Sequence, residues 1–452
     1  VLVLCTGLLA ALLAGCGDGG DSDGRVRGEP PATDHAATRA VADLLHRRSA
    51  AVRDGDEAAF LRTVDPQAGP YRRQQRTAFR NLGALPLAAW TLRLDAPVPA
   101  EADTDADSDT DADSDTGGDD GRVTADVRLG YRLRGFDPGD VTHDRRLEFV
   151  RRDGRWYVAG PAPGTRPQPW EQGPMTVVRG ARSLVLGVGR PEAGLREVAA
   201  VADRAVSDVS AAWGPGWPRR VVVLVPGSQA AMGELLGAGP TDYAGTAAVT
   251  TGRTGAGAAD DTGPADDTGP GDDTGAPHRR DSRRNAAPAD RVVVNPEAYD
   301  TLGVPGRRIV LTHETTHVAT RVHTTPATPL WLSEGLADWV GFGSVGRGPR
   351  AGAPELARAV AAGRVPRDLP ADADFGRAAS GDRPARAYGE AWLACRMIAE
   401  EWGADRLLAL YRAVGAADSR AQAAGPVLRA ELGVGPEEFT RRWRAYLKRE
   451  LG

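Results

Sequence analysis

Lysine is all but missing from this chain: Lys448 is the only one among 56 basic residues. With alanine, glycine and arginine dominating, that bias points to a high-GC bacterial genome rather than to a function. Cysteine is scarce as well, three in 452 residues, and once an N-terminal signal is removed only Cys16 and Cys395 remain. No internal disulfide framework is available if Cys16 is lipidated, and Cys395, in an apolar helical stretch, reads as a small core residue. The apolar stretch Val1 to Ala14 is too short to cross a bilayer as a helix, which takes about 20 residues. Nothing resembles a nucleic-acid-binding module. Histidine is rare too, seven in all, yet two stand four residues apart.

Those two lie in His313-Glu314-Thr315-Thr316-His317, with Glu334 following in Trp331-Leu332-Ser333-Glu334-Gly335. Residues four apart share one face of a helix, so both imidazoles can reach one metal ion. Glu314 then sits beside the metal, where its carboxylate can take a proton from water. Two nitrogens and one oxygen suit a tetrahedral zinc with one position left open, which separates a catalytic zinc from a structural one. Along the helix, Leu311, Val318, Ala319 and Val322 form an apolar stripe, and His313, Thr316, His317 and Thr320 form a polar stripe expected to face a cleft.

The third ligand has two candidates. His323 gives H-E-x-x-H-x-x-x-x-x-H, which also matches the metzincin spacing. That arrangement needs a left-handed glycine midway to swing the third histidine back. Thr320 stands there instead, and β-branched residues resist that conformation. On a continuing helix His323 lies about 240° round from His317 and faces away. No methionine sits in a recognisable Met-turn. Trp331 to Val340 reads as a second helix after Pro326 and Pro329, carrying Glu334, so Glu334 is the expected ligand.

At these residues the chain resembles the gluzincins of the peptidase MA clan. "LTHETTHVAT" followed by "WLSEGLADW" is similar to the peptidase MA-like domains of bacterial envelope proteins and to the thermolysin and aminopeptidase N pattern. The resemblance implies one zinc per chain on His313, His317 and Glu334, with Glu314 as general base. It also implies that Asp338, four residues after the glutamate ligand, orients a ligand histidine; a surface aspartate is the plain alternative. Tyr388, in "ARAYGEAWLACRMIAEEWG", resembles the tyrosine that aminopeptidase N relatives use to stabilise the oxyanion, and a packed tyrosine at a helix start is the plain reading. Those aminopeptidases bind the substrate's amine through an acid in a glycine-rich strand. The comparable strand here, about Tyr243 to Thr250, has none, which points to cleavage within peptides.

The N-terminus reads as a secretion signal over residues 1–15, and the charged segment that precedes such a core is expected upstream of this sequence. Leu13-Ala14-Gly15-Cys16 resembles the lipobox of bacterial lipoproteins, which implies a lipidated Cys16, a tether over 16–34 and a place on the outer face of the cell membrane. Two acidic tracts follow further on. Glu101 to Gly121 carries ten acidic and no basic residues, and Thr254 to Gly275 carries six and none. Without them the formal charge of −5 becomes +11. Such a body is drawn to anionic surfaces, although arginine-rich coding accounts for the same number. Both low-complexity tracts, 101–121 and the wider insert 253–290, are expected to be disordered. The first lacks the glycine bend and closing glutamate of a calcium loop, so it reads as a spacer.

Between them the chain divides in two. In 35–164, Ala37, Val41, Leu44, Leu45 and Val52 make a helical stripe, and Phe60, Leu61 and Val64 suggest another. Val123 to Leu133 alternates as a half-buried strand, and a hairpin at Asp153-Gly154 joins two more. This predicts an α+β unit, similar in pattern to the nuclear-transport-factor-like cone, as a spacer or peptide-docking module. After a linker at 165–174, residues 175–452 read as strands near Thr176, Leu184, Val221 to Val225, Tyr243 to Thr250 and Val292 to Val294, with a helix from Pro191 to Trp213. Everything after Trp331 reads as helical. The expected architecture is α+β, a zincin-like mixed sheet plus helical lobe preceded by a small cone-like domain. The expected function is a lipid-anchored, extracytoplasmic zinc metallopeptidase acting on peptides or proteins. The competing reading is a non-catalytic envelope protein that binds zinc or peptide; Glu314 argues against it, since a pure binding site needs no base beside the metal.

Overall fold

The computed structural model describes residues 34–98, 121–252, 290–376 and 381–452. Cys16 with its signal, residues 16–33 of the tether, and residues 101–120 and 253–289 of the acidic tracts lie outside the described residues. The last residue assigned to the second tract, Asp290, is described, and it is not solvated spacer: it accepts from Arg321 Nε at 2.8 Å.

The first unit opens with α1 (His35–Asp54), α2 (Glu57–Arg62) and α3 (Gly69–Ala84). Asp34 caps α1 by accepting from the backbone N–H groups of Ala36 and Ala37, and Gly55 ends it at φ 71°, the left-handed geometry that glycine adopts without steric cost. Strands β1 (Leu87–Leu94), β2 (Arg122–Leu133), β3 (Val141–Arg152) and β4 (Arg155–Pro161) follow as an antiparallel meander in sequence order. The β3–β4 hairpin turns on Asp153 and Gly154, both at positive φ (48° and 74°), as a two-residue turn matched to strand twist requires.

The second sheet contains β5 (Met175–Arg179), β6 (Ser183–Val188), β7 (Val221–Val225), β8 (Ala248–Thr251) and β9 (Arg291–Val294), in the order β5-β6-β7-β9-β8. Its centre is parallel, β6 with β7 and β7 with β9, and its edges are antiparallel. Every residue of β6, β7 and β9 is buried. That explains why β7 reads as an unbroken apolar run and why β6 and β9 are nearly so: both faces are covered. On one face Val185, Val223, Val292 and Val294 pack in a core with α4 (Glu192–Trp213). On the other, Leu184, Leu186, Val222, Leu224, Val249 and Val293 share a core with Leu82, Trp90, Tyr131 and Trp170 from the first half of the chain.

Segment 165–174, expected as a linker, is therefore packed rather than free. Trp170 sits in a short 3-10 turn, Pro169–Glu171, and Asn81 Nδ2 donates to the carbonyls of Trp170 (2.9 Å) and Gly173 (2.7 Å). A buried ion pair, Arg291 to Asp137 at 2.8 Å, also joins the two sheets.

Between β7 and β8 lies α5 (Gln229–Leu236), and after β9 come α6 (Pro296–Asp300) and α7 (Val304–Thr320). The rest is helical, as expected: α8 (Leu330–Gly343), α9 (Pro349–Gly352), α10 (Pro354–Ala361), α11 (Arg383–Glu401), α12 (Ala404–Gly415), α13 (Arg420–Gln422), α14 (Leu428–Leu432) and α15 (Pro436–Leu451). Helix α8 lies tight between two neighbours. A Cβ at Gly335 would stand 2.4 Å from the Ala391 carbonyl oxygen of α11, and one at Gly341 3.2 Å from that of Ile309 on α7. Cys395 is buried in α11, next to Gly335. Among the described residues no helix is long and apolar enough to cross a membrane.

Candidate metal centre

Helix α7 carries His313, Glu314 and His317, and α8 brings Glu334 and Asp338 against them. The four-residue spacing sets the two imidazoles side by side, with their Nε2 atoms 3.0 Å apart. Glu334 Oε2 is 3.3 Å from His313 Nε2, and Glu334 Oε1 is 3.5 Å from His317 Nε2. A tetrahedral zinc with bonds of about 2.0–2.2 Å spaces its ligand atoms about 3.3–3.5 Å apart. The three side chains offer ligand atoms that all lie within 4.8 Å of one another. This geometry and donor set fit a metal ion.

His313 is held from behind: Asp338 Oδ1 is 2.8 Å from its Nδ1. That contact leaves Nε2 to the ligand side and fixes the ring's orientation. Burial disfavours an imidazolium here, yet Asp338, and after it Glu334, more than offsets this and raises the His313 pKa well above the ordinary value. Burial also pushes Glu334 up, but His317 and His313 outweigh it and bring it down to about 2. Glu334 is thus ionised across the physiological range, the state in which a carboxylate can hold a cation.

Glu314 is fully buried. Its Oε2 accepts from Thr250 Oγ1 at 2.7 Å, whereas Oε1 has no hydrogen-bond partner among the described residues. Burial raises its pKa; the two imidazoles and the Thr250 hydroxyl offset that only in part. A carboxyl shifted upward and carrying one unpartnered oxygen beside a ligand set is the arrangement a general base needs.

His323 stays out of the centre. Thr320 keeps a right-handed conformation (φ −88°, ψ −9°), and the chain passes straight into a 3-10 turn, Arg321–His323. The His323 ring packs on Trp213 instead, centroid to centroid 5.7 Å. Tyr388 is half-buried, its ring 5.1 Å edge-on from Phe375. It shares with Asp338 the wall of a cavity of about 480 Å³ whose lining includes none of the three ligand residues.

The expected division of α7 into apolar and polar stripes does not hold. Thr312, Thr315, Thr316 and Thr320 are buried, and Val322 is 63% exposed. Sheet, α4 and α8 surround the helix; Thr316 Oγ1 is satisfied locally by donating to the Thr312 carbonyl at 2.8 Å, whereas Thr312 Oγ1 is buried with no hydrogen-bond partner among the described residues. The participant that sequence reasoning missed is Thr250. It sits 64 positions from Glu314, at the end of a strand noted only for lacking an acid, and no local pattern marks it.

No protein-family model matches this chain, no curated protein matches it, and no solved structure matches it.

Proposed function

We propose that this chain is a zinc metallopeptidase of gluzincin type, with a zincin-like fold, cleaving within peptides or proteins. The observation that carries the reading is the base beside the ligand set: Glu314, buried, with Oε1 unpartnered and Oε2 held by Thr250, next to His313, His317 and Glu334.

His313, His317 and Glu334 would hold the ion. Zinc, when bound, supplies Lewis acidity, lowering the pKa of water to about 7 and polarising a carbonyl. Glu314 Oε1 takes the proton of the water that attacks the scissile carbonyl, and later delivers it to the nitrogen of the leaving amine. Thr250 keeps the other oxygen from turning away. Asp338 holds the His313 ring in the tautomer that presents Nε2. Tyr388, on the wall of the adjoining cavity, enters the reading as the phenol that would stabilise the oxyanion. The reading also includes a lipid anchor at Cys16, an extracytoplasmic location, and a first unit of the nuclear-transport-factor-like kind.

The test is Glu314→Gln, which keeps volume and a hydrogen bond to water but cannot accept the proton. Screened against a peptide library with and without chelator, the wild type should cleave and lose activity on chelation. The variant should keep its zinc and cleave slower by on the order of a hundredfold. Equal cleavage by both would refute the mechanism. No cleavage by either, with both binding zinc and peptide alike, would make the protein a binding module.

A further inference from the structure

A cavity of about 40 Å³ lies among the four-stranded sheet, helices α1, α2 and α3, and the Pro169–Glu171 turn. Its polar lining includes Arg48, Arg145, Glu171 and Trp90, and their charges do not balance. Arg145 Nη1 pairs with Glu171 Oε2 at 2.9 Å, so those two neutralise one another. Arg48 is 5% exposed and its partners are all neutral. Nη1 donates to Thr63 Oγ1 at 2.8 Å, Nη2 donates to the Gln75 side-chain oxygen, and the guanidinium lies 3.8 Å over the Phe60 ring. A guanidinium stays protonated at any physiological pH, so the cavity wall holds one positive charge more than it neutralises. Buried charge without a counter-charge is costly, and proteins ordinarily pair it.

A second, separate observation comes from another residue of the same lining, Trp90. Trp90 is 5% exposed, and its indole Nε1, a donor only, is buried with no acceptor among the described residues. Two unmet demands thus meet at one cavity: a cation wanting an anion, and an N–H wanting an acceptor. Leu82, Leu129 and Leu147 line the rest. A single water needs about 10–15 Å³ by this kind of measure, so the space admits a few heavy atoms and excludes a peptide or a sugar.

We propose that this cavity binds one small monocarboxylate of about acetate size, its oxygens on the Arg48 guanidinium and the Trp90 N–H and its alkyl end on the leucines. A planar carboxylate matches a guanidinium fork, and its single charge equals the excess on the wall. An apolar end distinguishes it from a halide, which would leave the leucine wall without a partner.

The experiment uses the full chain after chelator treatment, so that no response arises at the metal centre. Melting is followed in chloride-free buffer with sodium acetate, and in parallel with sodium chloride at equal ionic strength. Acetate should raise the melting temperature saturably, by about 3–5 °C at a hundred times the half-saturating concentration, and chloride should not. Arg48→Met should abolish the saturable response. Trp90→Phe keeps an aromatic ring on the wall but removes the N–H donor, and should raise the half-saturating concentration about tenfold; it serves as the test if Arg48→Met fails to fold. An unsaturable or absent acetate response in the wild type, an equal response to chloride, or an unchanged half-saturating concentration in Trp90→Phe would overturn the proposal.

Discussion

Thr250 Oγ1 donates to Glu314 Oε2 at 2.7 Å, so an edge strand of the five-stranded sheet grips a carboxylate carried by helix α7. A hydrogen bond to the charged form of an acid lowers its pKa. Thr250→Val removes the hydroxyl at nearly constant volume, so Glu314 should move further up and the acid limb of the pH–rate profile should shift to higher pH. Turnover should fall by about tenfold or more, the worth of one bond to a charged group, with zinc content unchanged. A profile that does not move would reduce Thr250 to packing.

Glu334→Ala removes the only oxygen ligand of the trio. Zinc affinity should drop by on the order of a hundredfold or more, while His323→Ala, at a ring that packs on Trp213, should leave it unchanged. Metal analysis after dialysis against a weak chelator decides between them, and the reverse pattern would dismantle the ligand set.

Asp338→Ala leaves all three ligands in place but frees the far side of the His313 ring. Affinity for zinc should weaken by about 10–100-fold, with rotational freedom of the ring as the cause. Competition titration with a chromophoric chelator measures it; an unaltered affinity would show that α7 alone orients His313.

The raised pKa of His313 gives the metal-free protein a definite pH response. Its folded value lies above its unfolded value of about 6.5, so its contribution to stability is fully present below that pH and is lost as pH rises through the folded value. Chelator-treated protein should therefore melt at falling temperatures as pH increases from about 6.5, and His313→Gln should flatten that slope. Zinc has to displace the same proton, so uptake at pH 7 should release about one proton, read by calorimetry in buffers of different ionisation enthalpy. Uptake without proton release would contradict the assignment.

Trp170 joins the two sheets, packing 5.5 Å from Trp90 and 5.3 Å from Tyr131. Trp170→Ala should cost about 3–5 kcal/mol, the range for a buried tryptophan, and the protein should still unfold in one transition by calorimetry. Two resolved transitions would mean that the sheets fold independently.

The parts of this molecule legible in the sequence are those encoded by local period. His313 and His317 declare themselves by a four-residue spacing, the β3–β4 hairpin by Asp153-Gly154, and β7 by an unbroken run of valine and leucine. Glu334 was legible because Pro326 and Pro329 break the chain and let a second helix return. What stayed hidden depends on neighbours distant in sequence. Thr250 meets Glu314 across 64 positions and Arg291 meets Asp137 across 154, and neither contact leaves a local pattern. The strand expected at Tyr243 to Thr250 is shorter because its first residues fold into a turn, with Thr246 N–H donating to the Tyr243 carbonyl. Val322 misleads for a related reason: α7 ends at Thr320, so the period that would carry Val322 to the core does not continue.

The double cover of the five-stranded sheet bears on how the protein can be cut. Leu184, Leu186, Val222, Leu224, Val249 and Val293 meet apolar side chains supplied by described residues of the preceding segment, among them Leu82, Trp90, Tyr131 and Trp170. A fragment begun at residue 175 would keep His313, His317 and Glu334, yet present to water the part of that face that Leu82, Trp90, Tyr131 and Trp170 cover. Exposed apolar area of this kind drives self-association, so the fragment should be recovered as aggregate however intact its ligand set. Residues 34–174 thus act as a built-in solubiliser, and any shortened form meant for crystallisation or assay has to retain them.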